Sequence, residues 1–499
     1  MKPLFIITAA LAMACQGTSL NNQHTQDVLK NRSVDTSIFN AMYPLFQEKA
    51  LYHRRFKHAD IDSLVGLHRD RSILDIRQIG ASVQGRAIYE LEYGQGDKKV
   101  MLWSQMHGDE PTATMALFDL FNFLEGKDDD YQSIRDLLHK KLTLHFIPML
   151  NPDGAERYTR RNAQEIDLNR DARATQTVEG ALLRKRGTEV KPNYGFNLHD
   201  QNIYYNVPGT KNPVTISLLA PAYNHAREIN AVRGSAMQII VGMNRLLQQY
   251  IPNAVAKYDD THSPRGFGDN FQSWDASTVL IESGGLKGDL EKQEIRRLNF
   301  IIILNALIEI AQDSYAAYPV EDYENIPFNA SQLHDVVIRN LELTRDDVTY
   351  KTDIAIRRGE ITVGRDYHVR GRIEDIGDLQ ESYGYEEVDA EGLTLIPAKI
   401  ADKPITDIQS LTKEYVVKQL KSGVLAVPIR TDGVHQPALY AAPIILFTGN
   451  FYPTTTIDLG GSANFFIGDK QGHLKYAVVN GYIVDLSKGE WSTIKNKVY

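Results

Sequence analysis

Val100-Met101-Leu102-Trp103-Ser104 is followed by Gln105-Met106-His107-Gly108-Asp109-Glu110-Pro111 and then by a segment, Thr112 to Leu124, with apolar residues at Ala113, Ala116, Leu117, Leu120 and Leu124. The first run is short, apolar and bounded by polar residues, which predicts a buried strand. The last has its apolar residues at helical spacing. Strand, loop and helix in that order make up half of a βαβ unit. The same alternation recurs outward from this point. Leu142 to Pro148, Phe196 to His199 and Thr278 to Glu282 read as further strands, with helical segments around 215–250 and from Glu291 to Ala311. The fold expected is α/β: a mostly parallel or mixed sheet with helices on both faces. In such sheets, sites gather at the C-terminal ends of the strands.

The chain has 499 residues, of which 42% are hydrophobic and 24% charged, an ordinary globular balance rather than a disordered one. Its length allows several domains. The net charge of −8 leaves no basic footprint, so nucleic acid is not an expected partner. The pattern changes near residue 320. From Asp335 onward, short strands separated by turns dominate, among them Val336-Val337-Ile338, Asp353 to Ile356 and Gly481 to Val484. The expectation is a domain of residues 35–320 followed by a C-terminal all-β, sandwich-like domain of residues 325–499.

The only cysteine, Cys15, closes an apolar run from Leu4 to Ala14 that Lys2 precedes. The run suits a signal peptide and is too short to span a bilayer. Leu11-Ala12-Met13-Ala14-Cys15 resembles a bacterial lipoprotein signal, although its leucine sits one place earlier than is usual. Residues 1–15 are therefore expected to be a signal and 16–34 a polar tether. Cys15 is expected to be acylated, anchoring an exported protein to the membrane of the bacterial cell envelope.

Each strand end carries residues with chemistry. His107 and Glu110, three apart between strand and helix, can converge on one metal ion; zinc accepts imidazole nitrogen and carboxylate oxygen. His199, at another strand end, can supply a third ligand. Glu282 closes an apolar strand, where a carboxylate is costly unless it has a partner or a purpose; a general base beside a metal-activated water is such a purpose. Asn151-Pro152-Asp153-Gly154 reads as a tight turn. Arg160 and Arg161 lie between it and Asp167-Leu168-Asn169-Arg170-Asp171. Guanidinium groups and Asn169 there could recognise an anion, since a guanidinium fork matches a carboxylate.

In this order the set resembles the carboxypeptidase A-type zinc carboxypeptidases (funnelins) over roughly residues 45–315. Gly80-Ala81-Ser82-Val83-Gln84-Gly85-Arg86 also looks like a motif of that family. The resemblance implies one Zn²⁺ per chain held by His107, Glu110 and His199, with Glu282 as base. It implies that Asn169 and Arg170 bind the terminal carboxylate of a peptide substrate. It implies that Arg160 polarises the scissile carbonyl, or Arg161 if the loop register differs by one. The family's substrate-binding tyrosine has no residue at its usual place; Tyr258 lies upstream and His262 nearer. Two other readings stand beside this one: a zinc deacylase of the aspartoacylase type, and a non-catalytic lipoprotein that binds peptides or cell wall. The C-terminal region faintly resembles the split β-segments that flank the barrel of amidohydrolases. Residues 335–397 would be the leading part and Gly461 to Val484 the trailing part, with no room for a barrel between them.

Overall fold

The computed structural model describes residues 36–430 and 438–499. The expected signal, Cys15 and the tether lie outside the described residues. Among the described residues, no helix is long and apolar enough to cross a membrane. The chain divides into two compact units. One runs up to Pro208 and from Asn212 to Ala330; the other comprises Gly209–Lys211 and Ser331–Tyr499.

The first unit is built on eight strands: β1 (Asp75–Ala81), β2 (Ala87–Gly94), β3 (Lys98–Ser104), β4 (Leu142–Ile147), β5 (Tyr194–Asp200), β6 (Ile216–Leu219), β7 (Val255–Lys257) and β8 (Ser277–Ser283). Their order in the sheet is β1-β2-β4-β3-β5-β8-β6-β7. β3 pairs parallel with β4 and β5, and β5 pairs parallel with β8. The four motif-bearing strands therefore end on one edge of the sheet. β1, β2 and β6 introduce antiparallel pairings, which makes the sheet mixed. Both faces are covered, as a central parallel region requires. Along β3, Val100 and Leu102 enter one hydrophobic cluster and Met101 and Trp103 the opposite one.

The helix Thr112–Leu124 lies where the spacing predicts it, and all but one of its residues are buried. The segment around 215–250 is not wholly helical: β6 comes first, and the helix is Ala231–Tyr250. Ile216-Ser217-Leu218-Leu219 is a short apolar run, which periodicity alone does not distinguish from helix; pairing with β8 settles it. The helix Gln293–Gln312 is apolar nearly all round because it is enclosed by its neighbours. The unit continues past residue 320. Tyr323 is buried, Lys257 pairs with Glu324 at 2.6 Å, and Asn329 donates its backbone N–H to the Lys257 carbonyl at 2.9 Å.

Glu309, on the helix Gln293–Gln312, faces the neighbouring helix at Gly242, where any Cβ would meet its Oε2 at 2.4 Å. Burial pushes its carboxyl up to about 7, against the hydrogen bond it accepts from the Tyr318 hydroxyl at 2.8 Å. A carboxyl whose folded pKa is raised holds its proton more tightly in the native state. Stability therefore falls as pH rises from the ordinary value of 4.5 to about 7, and is flat above that. Over this window the group should cost the native state on the order of 3 kcal/mol. Glu309→Gln should remove that slope. Denaturant unfolding of both proteins at pH 5 and pH 8 checks it; equal pH slopes in the two would contradict the assignment.

In the second unit, Leu333–Arg345, Val348–Val363 and Asp366–Gly377 form an antiparallel meander. Asp346 and Asp347 both take positive φ at the first hairpin, the geometry a two-residue turn between twisted strands requires. Thr394–Ile396 pairs antiparallel with Phe465–Gly468, so the leading and trailing segments meet in one sheet. The unit is strand-rich but not all-β. The helix Lys413–Lys421 connects Lys399–Ile400 to Val424–Pro428, which pair in parallel. A parallel pair needs a crossover, and this amphipathic helix, capped by Thr412 and burying Val416 and Leu420, provides it.

Candidate functional site

At the end of β3 the backbone turns sharply, with Gln105 at φ 49°, and the Gln105 amide donates to the Gly108 carbonyl at 3.0 Å. Gly108 packs directly on the loop after β4. A Cβ there would lie 2.0 Å from the Gly154 carbonyl carbon, so any side chain would force the two loops apart and displace His107 and Glu110. Asn151-Pro152-Asp153-Gly154 is not a tight turn. Pro152–Arg157 is a short helix, with Asn151 accepting from the Gly154 N–H at 2.9 Å and donating to the Met106 carbonyl at 3.1 Å. Asp153 is fully buried and gathers the Ser82 hydroxyl at 2.7 Å, the Gln84 N–H at 3.0 Å and the Arg86 guanidinium at 2.7 Å. The Gly80–Arg86 motif thus clamps this second loop, and the second loop supports the first.

His107, Glu110 and His199 are all buried, and one ligand atom from each lies within 4.8 Å of the others. His107 Nδ1 is 2.7 Å from Glu110 Oε1 and His199 Nδ1 is 2.6 Å from Glu110 Oε2. Both imidazoles therefore offer the same nitrogen to one carboxylate, with their Nε2 atoms engaged elsewhere. His107 Nε2 meets Asp167 Oδ1 at 3.0 Å, a carboxylate–imidazole contact of the kind that orients a metal ligand. Burial works against the charge on Glu110, but the two imidazoles outweigh it and hold its carboxyl well below the usual carboxylate range. Two nitrogens and one oxygen, convergent and with oriented rings, fit a zinc ion that leaves a further position open. A second cluster, Glu90, Glu92 and His145, does not offer this. Arg186 occupies Glu90 through two contacts at 2.6 and 2.9 Å, and Arg77 pairs with Glu92.

Glu282 stands beside His199. The two are directly paired in register between β5 and β8, with Asn197 and Leu280 paired two rows below. Burial first, and then the nearby Glu110, push the Glu282 carboxyl well above its ordinary value. Asp167 also accepts from Arg160, at 3.1 Å to Nε. The Arg160 Nη1 reaches Glu110 Oε1 at 3.2 Å, so this guanidinium borders the metal position. Asn169 holds its place through Oδ1, which accepts from the Phe267 N–H at 2.9 Å, while Arg170 is exposed at the rim.

These groups share an open cavity of about 420 Å³, bordered by His107, Glu110, Arg160, Asn169, Arg170, Tyr258 and Glu282. Two sequence candidates are not brought to it. Arg161 turns away and donates to the Glu165 carbonyl at 2.8 Å. His262 lies against Asp269 at 3.3 Å and the His225 ring at 4.6 Å. Tyr258 does border the cavity, with its hydroxyl 3.4 Å from that of Tyr205. Burial, and then the charge of Glu282, raise the Tyr258 phenol well above its ordinary range. Tyr205 was not singled out by the sequence, because nothing local distinguishes it from an ordinary loop residue, and Asp167 was read only as part of the Asp167–Asp171 run, with no role of its own.

Residues 62–234 match a family model described as zinc carboxypeptidase. Carboxypeptidase D of Homo sapiens is 22% identical over 292 residues, covering 51% of this chain and 21% of that protein. Carboxypeptidase M of Mus musculus is 30% identical over 157 residues, covering 30% of each. This chain spans less than a third of the length of these curated relatives. A solved metallo-carboxypeptidase from Burkholderia cenocepacia aligns at 16% identity with a TM-score of 0.44, covering 52% of this chain and 70% of that one.

Proposed function

We propose that this chain hydrolyses the C-terminal peptide bond of peptides, a reading supported by the match of residues 62–234 to the zinc carboxypeptidase family model. The observation that carries this is the convergence of the His107, Glu110 and His199 donor set beside one cavity that Glu282, Arg160, Asn169 and Arg170 line together with His107 and Glu110. His107, Glu110 and His199 would hold one zinc ion. When bound, the ion supplies Lewis acidity, polarising the scissile carbonyl and acidifying a water. Glu282, beside His199, accepts the proton of the attacking water and returns it to the leaving amine. Arg160, pre-oriented by Asp167, stabilises the negative charge that develops on the carbonyl oxygen. Arg170 and Asn169, at the cavity rim, hold the terminal carboxylate of the substrate, which limits cleavage to the last residue. Tyr258 is the aromatic side chain placed to cover the bound end.

The test is a panel of N-blocked dipeptides with free or amidated C-termini, assayed with and without chelator. Release of the last residue much faster from the free acids than from the amides, abolished by chelator, is expected. Purified protein should carry about one zinc per chain, and His199→Ala should lose it, since removal of a ligand leaves an incomplete set. Metal analysis showing full zinc in His199→Ala would remove the donor set from the proposal.

Export and lipid attachment at Cys15 belong to the same proposal and rest on the sequence alone. Cys15→Ser should move the protein from the membrane fraction to the soluble one; retention on the membrane after a salt wash would place the anchor elsewhere.

A further inference from the structure

Asp200 and Ser283 directly follow His199 and Glu282, and they face each other as the last register pair of β5 and β8. Lys292 reaches this pair from the start of the helix Gln293–Gln312. Its ammonium donates to Asp200 Oδ2 at 2.9 Å and to the Ser283 carbonyl at 3.0 Å. The same Asp200 oxygen accepts from the Thr112 hydroxyl at 2.6 Å, and the Asp200 backbone N–H donates to Glu110 Oε2 at 3.2 Å. Thr112 lies two residues past Glu110. One ammonium and one carboxylate therefore tie together the three segments that carry the metal ligands and Glu282.

Lys292 is only 6% exposed and sits in the left-handed region, at φ 52° and ψ 32°. Lysine is rarely buried, and a left-handed backbone is unfavourable for a residue with a Cβ. A buried ion pair can often be replaced by apolar side chains without loss of stability, so folding alone does not call for this arrangement. What the pair does provide is directional: beside the backbone ladder that joins β5 and β8, it adds a side-chain tie between their ends, next to Glu282 and the metal ligands. A displacement of about 1 Å in such a constellation is enough to lower a rate severely.

We propose that Lys292 is a positioning residue for the reaction, acting through Asp200 and Ser283 to hold Glu282 and His199 in working register. The inference rests on the peptidase reading above. It is tested in the zinc-loaded full chain with Lys292→Met, Lys292→Arg and Asp200→Asn, measuring zinc content, KM, kcat and thermal midpoint. In Lys292→Met, zinc should stay stoichiometric and KM within about threefold of the original, while kcat falls by about 30-fold or more. Lys292→Arg should recover part of kcat, because it can still reach an acceptor. Lys292→Met combined with Asp200→Asn should be no slower than the slower single variant, since both remove the same tie. A Lys292→Met protein with lowered thermal midpoint but kcat within about threefold of the original would overturn the proposal, leaving Lys292 a purely structural residue. If Lys292→Met does not fold, Asp200→Asn decides: unchanged kcat overturns the proposal, and a selective kcat loss supports it. In either case the parent protein stays active and chelator-sensitive, so the peptidase reading survives. A zinc-loaded parent protein that cleaves no member of the dipeptide panel sinks both.

Discussion

Glu282→Gln is expected to retain its zinc and to bind substrate with little change, while kcat falls by about 10²–10⁴-fold. Glutamine has nearly the shape of glutamate but accepts no proton. The carboxylate is not a member of the donor set, so the metal should stay. It stands in register with His199 at the sheet edge, and its pKa is raised by burial and by Glu110. The measurement is steady-state kinetics alongside metal analysis. A variant within a few-fold of the original kcat would remove Glu282 from the chemistry, and a variant that loses zinc would make it a ligand instead.

Arg170→Ala is expected to affect substrates with a free C-terminal carboxylate and to leave amidated ones nearly untouched. A charge-assisted pair in a desolvated site is worth about 2–5 kcal/mol. Arg170 is exposed in the free protein, with Nη1 resting on the Asn169 carbonyl at 2.7 Å, so the lower end of that range applies. That is a loss of roughly 30-fold in kcat/KM on free acids. Asn169 should retain part of the recognition, because its side chain is held by the Phe267 N–H and not by Arg170. Equal losses on acids and amides would say that the guanidinium supports the loop rather than the substrate. That outcome would favour an endopeptidase or a deacylase.

Several features of the chain were legible from residue type and spacing alone. The helix from Thr112 to Leu124 follows from its apolar spacing, the strands ending at Ser104, His199 and Glu282 from short apolar runs, and the helix near 291–311 from a longer one. Each is a local pattern contained in one window. The donor types at His107, Glu110 and His199 could be read for the same reason, since ligand chemistry depends on residue identity. Other features depended on strand order and register, which no local window contains. Arg160 and Arg161 are adjacent and chemically identical; only the folded loop sends one toward Glu110 and the other toward the Glu165 carbonyl. Tyr258, directly after β7, borders the cavity, while His262 is held against Asp269 and the His225 ring. Asn151-Pro152-Asp153-Gly154 has turn composition, yet a buried partner set for Asp153 draws it into a helix. Lys292 and Asp200 are far apart in sequence and meet only because β5 and β8 are neighbours. The residues able to do the chemistry were therefore determined by the sequence itself. Which partner each one faces was decided by the sheet, because long-range pairing is a property of topology and not of composition.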